Sequence, residues 1–484
     1  METSKTFSRS VAHLIMIVCM SSFFIFSCTK IEPANSPVSA GTALLKTSSK
    51  LNIILILADD IGYEVPTYSG GQSYTTPNLN MMAAQGLQFE QCHSTPLCSP
   101  SRTELLTGKY SFRNYGAWGD MDTTNRTIAN MLRDNGYNTL ATGKWQLNGG
   151  DAGIHALGFN DYLVHGPFTR TDGGDRYGAA EDDDIADLFF GGSATTKTGG
   201  TNHSCYKDPD LYWQGAYYGK EKRIGKYGDD EYVNYISKFI DSNKNRPFFI
   251  YYAQSLCHQP FCPTPEDPEY AAWDMAAGVS DTSFFPSMVK YSDEKIGQVI
   301  QKVKDAGIAD HTVIIYTGDN GTDGKIFSYY KGKRYRGGKS RTPELGTHVP
   351  LIVWCPAKLK PGIDKQLIDF SDFLPTIADI ANVRVPASYG IIDGKSFYPY
   401  VMGDTSAQRD WIFCHYDQNV KGEGRHPIRR WTQDSTYKLY DSTNLFYNIK
   451  RDLFENHPLA DNQLTAKEKA IKQKFAAVLA SMHN

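Results

Sequence analysis

Short, continuously apolar runs alternate with amphipathic segments along most of the chain, and this alternation limits the choice of fold more than any other feature. The runs cover residues 52–57, 139–142, 247–252, 312–316 and 349–354. A short apolar run without polar alternation is typical of a strand buried on both faces of a sheet. The segments between the runs, such as 127–135, 230–242 and 287–306, have the apolar spacing of helices. The sequence therefore predicts an α/β fold with a large, mostly parallel sheet flanked by helices.

Polar residues stand just beyond the ends of four of these runs. In order along the chain they are Asp59 and Asp60, Lys144, His258, and Asp319 with Asn320. In open α/β sheets, ligands bind beyond the carboxyl ends of the strands. We therefore expect carboxylates, an amide, a lysine and a histidine to meet at one edge of the sheet, as an active site requires.

A cysteine-containing segment, Cys98-Ser99-Pro100-Ser101-Arg102, lies between the first two runs. Pro100 suits the first turn of a helix, which we predict over residues 100–107. The N–H groups at a helix N-terminus favour an anion, so Cys98 is expected where negative charge is stabilised. A lone cysteine is more often a buried structural residue, and the surrounding motifs must decide between the two interpretations.

The cysteine segment, with proline two residues on and arginine four residues on, resembles the signature of the sulfatase family. Companion motifs of that family occur in the family's order. They are Asp59-Asp60, Thr142-Gly143-Lys144-Trp145, Gly318-Asp319-Asn320-Gly321 and Gly337-Gly338-Lys339. The resemblance covers roughly residues 51–464 and implies a sulfuric ester hydrolase.

The resemblance also implies the cofactors. A maturation enzyme would oxidise Cys98 to formylglycine (3-oxoalanine), whose hydrate attacks sulfur and forms a covalent sulfo-enzyme. One divalent ion, Ca²⁺ with Mg²⁺ as the alternative, would be held by Asp59, Asp60, Asp319 and Asn320. Their hard oxygen ligands suit these two ions and suit zinc poorly.

The remaining family residues would act on the sulfate group and its leaving alcohol. Lys144 and Lys339 would neutralise the sulfuryl oxygens, and Arg102 would steady the metal carboxylates. His258 would protonate the leaving oxygen, a type of general acid catalysis worth about 10²–10⁴-fold. The alternative for each lysine is an ordinary solvated side chain, and for His258 a structural histidine.

Gln146 is a departure from the family pattern Gly-Lys-Trp-His-Leu-Gly. The family histidine takes the proton of the formylglycine hydroxyl and so expels sulfate, whereas glutamine cannot act as a base near neutral pH. His155 and His165 are candidate replacements for this base. Together with Gln146 and Arg336 they are also candidate substrate contacts.

The N-terminus is predicted to be a targeting segment. Lys5 and Arg9 precede a mostly apolar stretch at 11–26, which is shorter than the roughly 20 residues of a membrane span. Residues 1–27 are expected to be a lipoprotein signal peptide, Cys28 the lipidated residue and 28–50 a tether. This places the protein in the periplasm or on the outer-membrane surface of a Gram-negative bacterium, with a lipid anchor. Cleavage at a nearby serine, giving a free soluble protein, is the alternative.

After residue 400 the pattern changes to short strands, at 411–416, 430–432, 437–440 and 445–449, followed by a helix at 465–482. We therefore predict a main α/β domain with the active site at 51–400. A smaller C-terminal subdomain, an antiparallel sheet with a helix, is predicted at 401–484. Residues 166–225 are rich in Gly, Asp and Tyr and are interpreted as an irregular insertion over the site.

Charge and composition exclude some partners. With 50 basic and 53 acidic residues the net charge is −3, so binding of nucleic acid is not expected. Aromatic residues make up 13%, which is common in carbohydrate-handling proteins. Aromatic residues also fill cores, so the substrate expectation depends on the resemblance and the predicted export, which together favour a sulfated glycan such as a host glycosaminoglycan, a mucin or an algal glycan. Two alternatives stay open at this stage: a phosphate or phosphonate ester hydrolase of the alkaline-phosphatase-like superfamily, and a non-catalytic glycan-binding lipoprotein.

Overall fold

A computed structural model describes residues 50–165 and 205–482, apart from residues 118, 148, 278, 405, 407, 408, 420–423 and 425. The predicted signal peptide at 1–27, the lipidation site Cys28 and the tether up to residue 49 lie outside the described residues. The same holds for 166–204 of the predicted insertion. No helix within the described ranges has both the length and the apolar character needed to cross a membrane.

The described residues contain a ten-stranded sheet, a four-stranded sheet and two short hairpins. The strands of the first half are β1 (Asn52–Ala58), β2 (Leu87–His93), β3 (Tyr115–Ala117), β4 (Asp120–Met121), β5 (Asn138–Lys144), β6 (Asp161–His165), β7 (Leu211–Trp213), β8 (Ala216–Tyr217) and β9 (Phe248–Ala253). Those of the second half are β10 (Thr312–Gly318), β11 (Phe327–Tyr330), β12 (Lys333–Arg336), β13 (His348–Trp354), β14 (Gly362–Asp369), β15 (Ile412–Tyr416), β16 (Arg429–Gln433), β17 (Tyr437–Tyr440) and β18 (Phe446–Asn448).

The large sheet has the order β14-β2-β13-β10-β1-β9-β5-β6-β7-β8. The five central strands, from β10 to β6, run parallel to one another. β14 also runs parallel to β2, whereas β13 and the β7–β8 hairpin pair in antiparallel fashion. The predicted α/β fold with a large, mostly parallel sheet is confirmed, and its outer strands make it a mixed sheet.

Helices cover both faces of this sheet. In chain order they are α1 (Pro77–Gln85), α2 (Cys98–Thr107), α3 (Ser111–Asn114), α4 (Ile128–Asp134), α5 (Gly150–Ala156), α6 (Lys220–Arg223), α7 (Gly228–Asn243), α8 (Phe285–Asp305), α9 (Phe373–Ala381), α10 (Tyr398–Val401) and α11 (Ala466–Ser481). α4 begins at a capping box, in which Thr127 and Asn130 exchange hydrogen bonds between side chain and backbone. α8 buries the predicted apolar stripe, including Ile296, Val299 and Val303.

β1 shows why its sequence is apolar at consecutive positions. Ile53, Leu55 and Leu57 belong to the hydrophobic core on one face of the sheet. The residues between them belong to the core on the other face. Because successive side chains of a strand point to opposite faces, a strand between two helix layers must be apolar throughout.

The C-terminal part is an antiparallel sheet, β15-β16-β17-β18, with α11 packed against it. Phe413, Phe446 and Phe475 form its core together with Tyr110 from the main part of the chain. This agrees with the predicted C-terminal strands and helix. Residues Lys50–Asn484 form one compact unit, and a domain boundary near residue 400 stays a prediction.

Candidate active site

The carboxyl ends of the central parallel strands form one buried polar cluster. β1 and β10 end side by side, so the residues that follow them leave the sheet together. β9 lies on the other side of β1, and β5 lies beside β9. Atoms able to ligate a metal lie within 4.8 Å of one another in four buried residues: Asp59, Asp60, Cys98 and Asp319. The structure thus brings together residues that are up to 260 positions apart in the chain.

Asp60 is fixed by hydrogen bonds on three sides. Its backbone N–H donates to Oδ1 of Asp319 over 3.1 Å, and Nδ2 of Asn320 donates to its Oδ1 over 2.7 Å. Nζ of Lys339 donates to its Oδ2 over 2.7 Å. The backbone of Asp60 has φ 55°, a left-handed conformation that aspartate tolerates better than most residues. Burial raises the pKa of this carboxyl group, and Lys339 opposes the shift.

Arg102, which is fully buried, lies against the other two carboxylates. Its Nε and Nη2 donate to Oδ2 of Asp319 over 3.1 Å and 2.7 Å, and its Nη2 is 3.8 Å from Oδ1 of Asp59. Nζ of Lys144 donates to Oδ2 of Asp59 over 2.5 Å and lies 3.7 Å from Sγ of Cys98. With Lys339 on Asp60, three carboxylates are matched by three cations around the cysteine.

Gly143 allows Lys144 to reach this cluster. A Cβ atom at Gly143 would lie 1.8 Å from the carbonyl oxygen of Ala253 in the neighbouring β9, and the residue has φ 93°. Any side chain would therefore both clash and strain the backbone. The glycine lets β5 approach β9 closely where Lys144 leaves the sheet.

Cys98 is the first residue of α2, two residues earlier than the helix start expected from Pro100. No side chain of the described residues caps this end of the helix, and Cys98 puts the positive end of the helix dipole beside the cluster. Burial raises the pKa of the thiol to about 12, against the effects of Lys144 and Lys339.

His258 belongs to the same cluster, since one of its ring nitrogens lies within 4.8 Å of ligand atoms of Asp59 and Cys98. Its Nδ1 is 2.6 Å from the carbonyl oxygen of Gln259. A carbonyl oxygen only accepts hydrogen bonds, so Nδ1 carries the proton and Nε2 is the nitrogen that can exchange one. Burial lowers the pKa of His258 well below its usual value, and the neighbouring Lys144 and Lys339 lower it further.

The oxygen ligands fit a hard cation. Oδ1 of Asp59 and Oδ1 of Asn320 are buried, and neither accepts a hydrogen bond from the residues that the structure describes. A buried polar atom without a partner costs free energy unless an ion or water fills the gap. Carboxylate and amide oxygens in this arrangement suit Ca²⁺ or Mg²⁺.

The other candidate residues lie in four different segments, and His155 lies near the amino ends of β5 and β6, away from the carboxyl ends where the cluster is. Gln146 is buried two residues beyond Lys144, with φ 51°. His165 is half-buried at the end of β6, opposite Lys144 in the strand register. His155 lies on α5, where its Nδ1 is 2.7 Å from the carbonyl oxygen of Phe159. Arg336, exposed on β12, donates to the carbonyl oxygen of Gly324 over 2.5 Å.

Thr322 is a positioning residue that the sequence did not reveal. Its Oγ1 accepts a hydrogen bond from the backbone of Gly62 over 3.1 Å, next to the Asp59-Asp60 turn. Its carbonyl oxygen accepts one from the backbone of Lys339 over 3.0 Å. Thr322 therefore connects three loops of the site. Its position two residues after Asn320 was the only local signal.

Comparisons with known proteins agree with this geometry. A family model described as Sulfatase matches residues 51–383. An N-acetylgalactosamine-6-O-sulfatase of Bacteroides thetaiotaomicron is 27% identical, over 89% of this chain and 94% of the relative. Arylsulfatase A of Homo sapiens is 27% identical, over 87% of this chain and 85% of the relative. The structure of BT4656 in complex with its substrate D-glucosamine-2-N,6-O-disulfate shares the fold, with a TM-score of 0.67 and 19% identity, over 89% of this chain and 97% of that chain.

Proposed function

Because the chain belongs to the sulfatase family, we propose that it removes sulfate from a sulfated carbohydrate with an oxidised Cys98 as nucleophile. The observation that carries this proposal is the buried cluster of three carboxylates and three cations around Cys98. Fixed charges in a buried site stabilise an anionic group as its charge shifts during reaction. The relative from Bacteroides thetaiotaomicron is named for a sulfated sugar, which supports a carbohydrate substrate.

We propose that residue 98 is converted to formylglycine by a maturation enzyme, which removes the thiol sulfur. When present, the aldehyde would add water, and one hydroxyl of the resulting hydrate would supply a nucleophile of the kind used in covalent catalysis. The first turn of α2 and Nζ of Lys144, 3.7 Å from Sγ, would favour negative charge at this position. Support comes from the placement of Cys98 beside the acidic cluster and from family membership.

Asp59, Asp60, Asp319 and Asn320 would hold one divalent ion, Ca²⁺ or alternatively Mg²⁺. When bound, the ion would act as a Lewis acid on sulfate oxygens. The two buried oxygens without hydrogen-bond donors support this assignment. Arg102 would hold Asp319 and Asp59 in place for the ion, because its guanidinium group contacts both carboxylates.

Lys144 and Lys339 would neutralise the sulfate oxygens from two sides, since each already lies beside a carboxylate at the cluster. The ring of His258, oriented by the carbonyl of Gln259, would give a proton from Nε2 to the leaving alcohol oxygen. Nε2 would gain that proton only when an anionic sulfate group lies beside it and offsets the lowering of its pKa by Lys144 and Lys339. Gln146 would contact the substrate without serving as a base. The base that completes sulfate release would then be another residue, and of the two candidates His165, opposite Lys144 in the strand register, is better placed than His155.

The proposed substrate is a sulfated glycan attacked from its end, of host glycosaminoglycan, mucin or algal origin. We propose that the protein meets it in the periplasm or on the outer surface, anchored through a lipid on Cys28. The apolar stretch at 11–26 and the Ser27-Cys28 sequence support this location.

The test compares wild-type protein with Cys98→Ala on sugars that are sulfated at one defined position. We expect hydrolysis of one regioisomer by the wild type, no turnover by the variant, and an aldehyde at residue 98 in peptide mass spectra of active protein. The proposal is wrong if active protein retains the thiol, or if a phosphonate or phosphate ester is the better substrate. An aryl sulfate serves as the control, because a preference for it with all sugars inert would exclude a carbohydrate substrate.

A further inference from the structure

Residues 324–343 form a strongly basic segment that we call the basic hairpin. It contains β11 and β12, begins shortly after the Asp319-Asn320 turn, and includes Lys339 and Arg341. The segment contains seven Lys and Arg residues and no Asp or Glu, although the whole chain is slightly acidic. The sulfate chemistry proposed above uses only one of these seven, Lys339.

One face of the basic hairpin alternates aromatic and guanidinium groups. In the strand register Phe327 pairs with Arg336, and Tyr329 pairs with Arg334. Directly opposed residues of antiparallel strands lie on the same face, so these four side chains share a surface. All four are exposed, with Phe327 at 47% and Tyr329 at 53%. The guanidinium carbon of Arg334 lies 4.2 Å from the ring centroid of Phe327, within the range of a cation–π contact.

The opposite face of the hairpin is anchored to the protein. Oγ of Ser328 is 3.1 Å from the hydroxyl oxygen of Tyr74. The backbone of Tyr329 donates to Oγ of Ser73 over 2.7 Å and accepts from the backbone of Gln72 over 2.9 Å. An anchored surface loses little conformational entropy when a ligand binds.

Within the described part of the chain, the exposed cations of the hairpin form no ion pairs with carboxylates. No carboxylate of the described residues lies within 4.0 Å of the charged nitrogens of Lys331, Lys333, Arg334 or Arg336. Exposed lysines elsewhere do form such pairs, for example Lys290 with Glu266 at 2.6 Å. A cluster of unpaired like charges attracts an anionic partner, since binding removes their mutual repulsion.

The surface adjoins the candidate active site. Nζ of Lys325, at the start of the hairpin, donates to Oε1 of Gln259 over 3.2 Å, and Gln259 follows His258 in the chain. At the other end Gly337 and Gly338 lead from Arg336 to Lys339. Arg336 is thus only three residues from Lys339, so this end of the hairpin lies close to the cluster.

We propose that the outer face of the basic hairpin binds the continuation of a multiply sulfated linear glycan, beyond the sugar whose sulfate is removed. This inference rests on the proposed function. Arg334 and Arg336 would pair with sulfates of the following sugars, and Phe327 and Tyr329 would pack against sugar rings. Continuity with a site for sulfate esters favours a glycan over single-stranded nucleic acid, which such surfaces can also bind.

The test measures binding separately from catalysis. In the Cys98→Ala background, calorimetry compares a fully sulfated heparin hexasaccharide with an oligothymidine of equal charge, at two salt concentrations. The double variant Arg334→Gln/Arg336→Gln is called the hairpin variant. We expect it to bind the hexasaccharide about tenfold more weakly, with an affinity that changes less between the two salt concentrations. The matched control, Lys467→Gln with Lys469→Gln, removes two exposed charges from α11 and should leave binding unchanged.

The outcomes separate the two proposals. Unchanged hexasaccharide affinity in the hairpin variant, no binding at all, or tighter binding of oligothymidine would each overturn the inference. If wild-type protein binds the hexasaccharide and the hairpin variant binds it more weakly, the inference stands. It stands even when wild-type protein hydrolyses no sulfate ester, because that outcome would refute only the proposed function. In active protein, the ratio of kcat/KM for the hexasaccharide to kcat/KM for a sulfated monosaccharide should fall in the hairpin variant.

Discussion

Replacement of Asp319 by asparagine separates the structural role of this carboxylate from its proposed role as a metal ligand. Asp319 accepts two hydrogen bonds from Arg102 and one from the backbone of Asp60. Asparagine keeps the shape but loses the charge, and Arg102 would then be left with Asp59 at 3.8 Å as its nearest carboxylate. Breaking a buried ion pair by removing one partner costs about 3–5 kcal/mol.

In metal-free protein, two effects determine how far Asp319→Asn lowers the free energy of unfolding. Burial and the nearby Asp59 raise the pKa of Asp319, so the neutral asparagine relieves some repulsion. The loss of its nearest carboxylate costs Arg102 more than this relief returns, because Arg102 is fully buried. We therefore expect the free energy of unfolding in EDTA to fall by about 3 kcal/mol, the lower end of the range.

Adding calcium then tests whether Asp319 also ligates the metal ion. An ion that binds only the folded state at 100 times its Kd stabilises it by about 2.7 kcal/mol. Wild-type protein should gain this amount in urea unfolding followed by tryptophan fluorescence, and Asp319→Asn should gain less than about 1 kcal/mol. The matched control is Asp372→Asn, which breaks a buried pair with Arg409 and should show the loss in EDTA but the full gain with calcium.

Either half of this argument can fail by itself. Equal stability of wild type and Asp319→Asn in EDTA would refute the importance of the Arg102 pair. Equal calcium stabilisation of both proteins would remove Asp319 from the metal site. If Asp372→Asn also lost its response to calcium, the metal effect would be a general consequence of weaker folding rather than of ligand loss.

Two further predictions concern Gln146 and Asp229. Gln146→His should speed sulfate release in pre-steady-state kinetics by restoring a base. Gln146→Asn also tolerates φ 51° but has no basic group, so it should not speed sulfate release. If Gln146→His released sulfate no faster than wild-type protein, the missing base at position 146 would not be what limits release. Burial raises the pKa of Asp229 to about 7, so the folded protein keeps a proton that the unfolded chain loses near pH 4. The free energy of unfolding should therefore fall between about pH 4 and 7, by up to about 1.4 kcal/mol per pH unit. Urea unfolding of Asp229→Asn at several pH values should lack this contribution. The same pH dependence in the variant and in wild-type protein would contradict the assignment.

Local sequence patterns were sufficient to predict those parts of the fold that depend on neighbouring residues in the chain. β1 is apolar at consecutive positions because both of its faces are buried, and this could be read without knowing its neighbours. The capping box of α11, formed by Thr465 and Glu468, likewise marks a helix start within four residues. The position of polar residues after strands predicted one shared edge, since parallel strands end together.

Contacts between distant segments could not be predicted in this way. Arg102 and Asp319 are 217 positions apart, and only the family resemblance, not the residues near either one, indicated that they meet. The order β14-β2-β13-β10 places a strand from residues 87–93 between two strands from the last third of the chain. Thr322 has an ordinary local sequence, and its role depends on three loops that meet only in the folded protein.

Gln146 shows that a departure from a motif has a physical meaning beyond the loss of a base. Its side chain is buried, and its Oε1 accepts no hydrogen bond from the described residues. An unsatisfied buried acceptor costs about 1–3 kcal/mol, and a left-handed glutamine adds further strain. A substrate hydroxyl or amide that donates to Oε1 would recover the first of these costs. The geometry therefore favours Gln146 as a substrate contact, and a restored histidine should then trade weaker substrate binding for faster sulfate release.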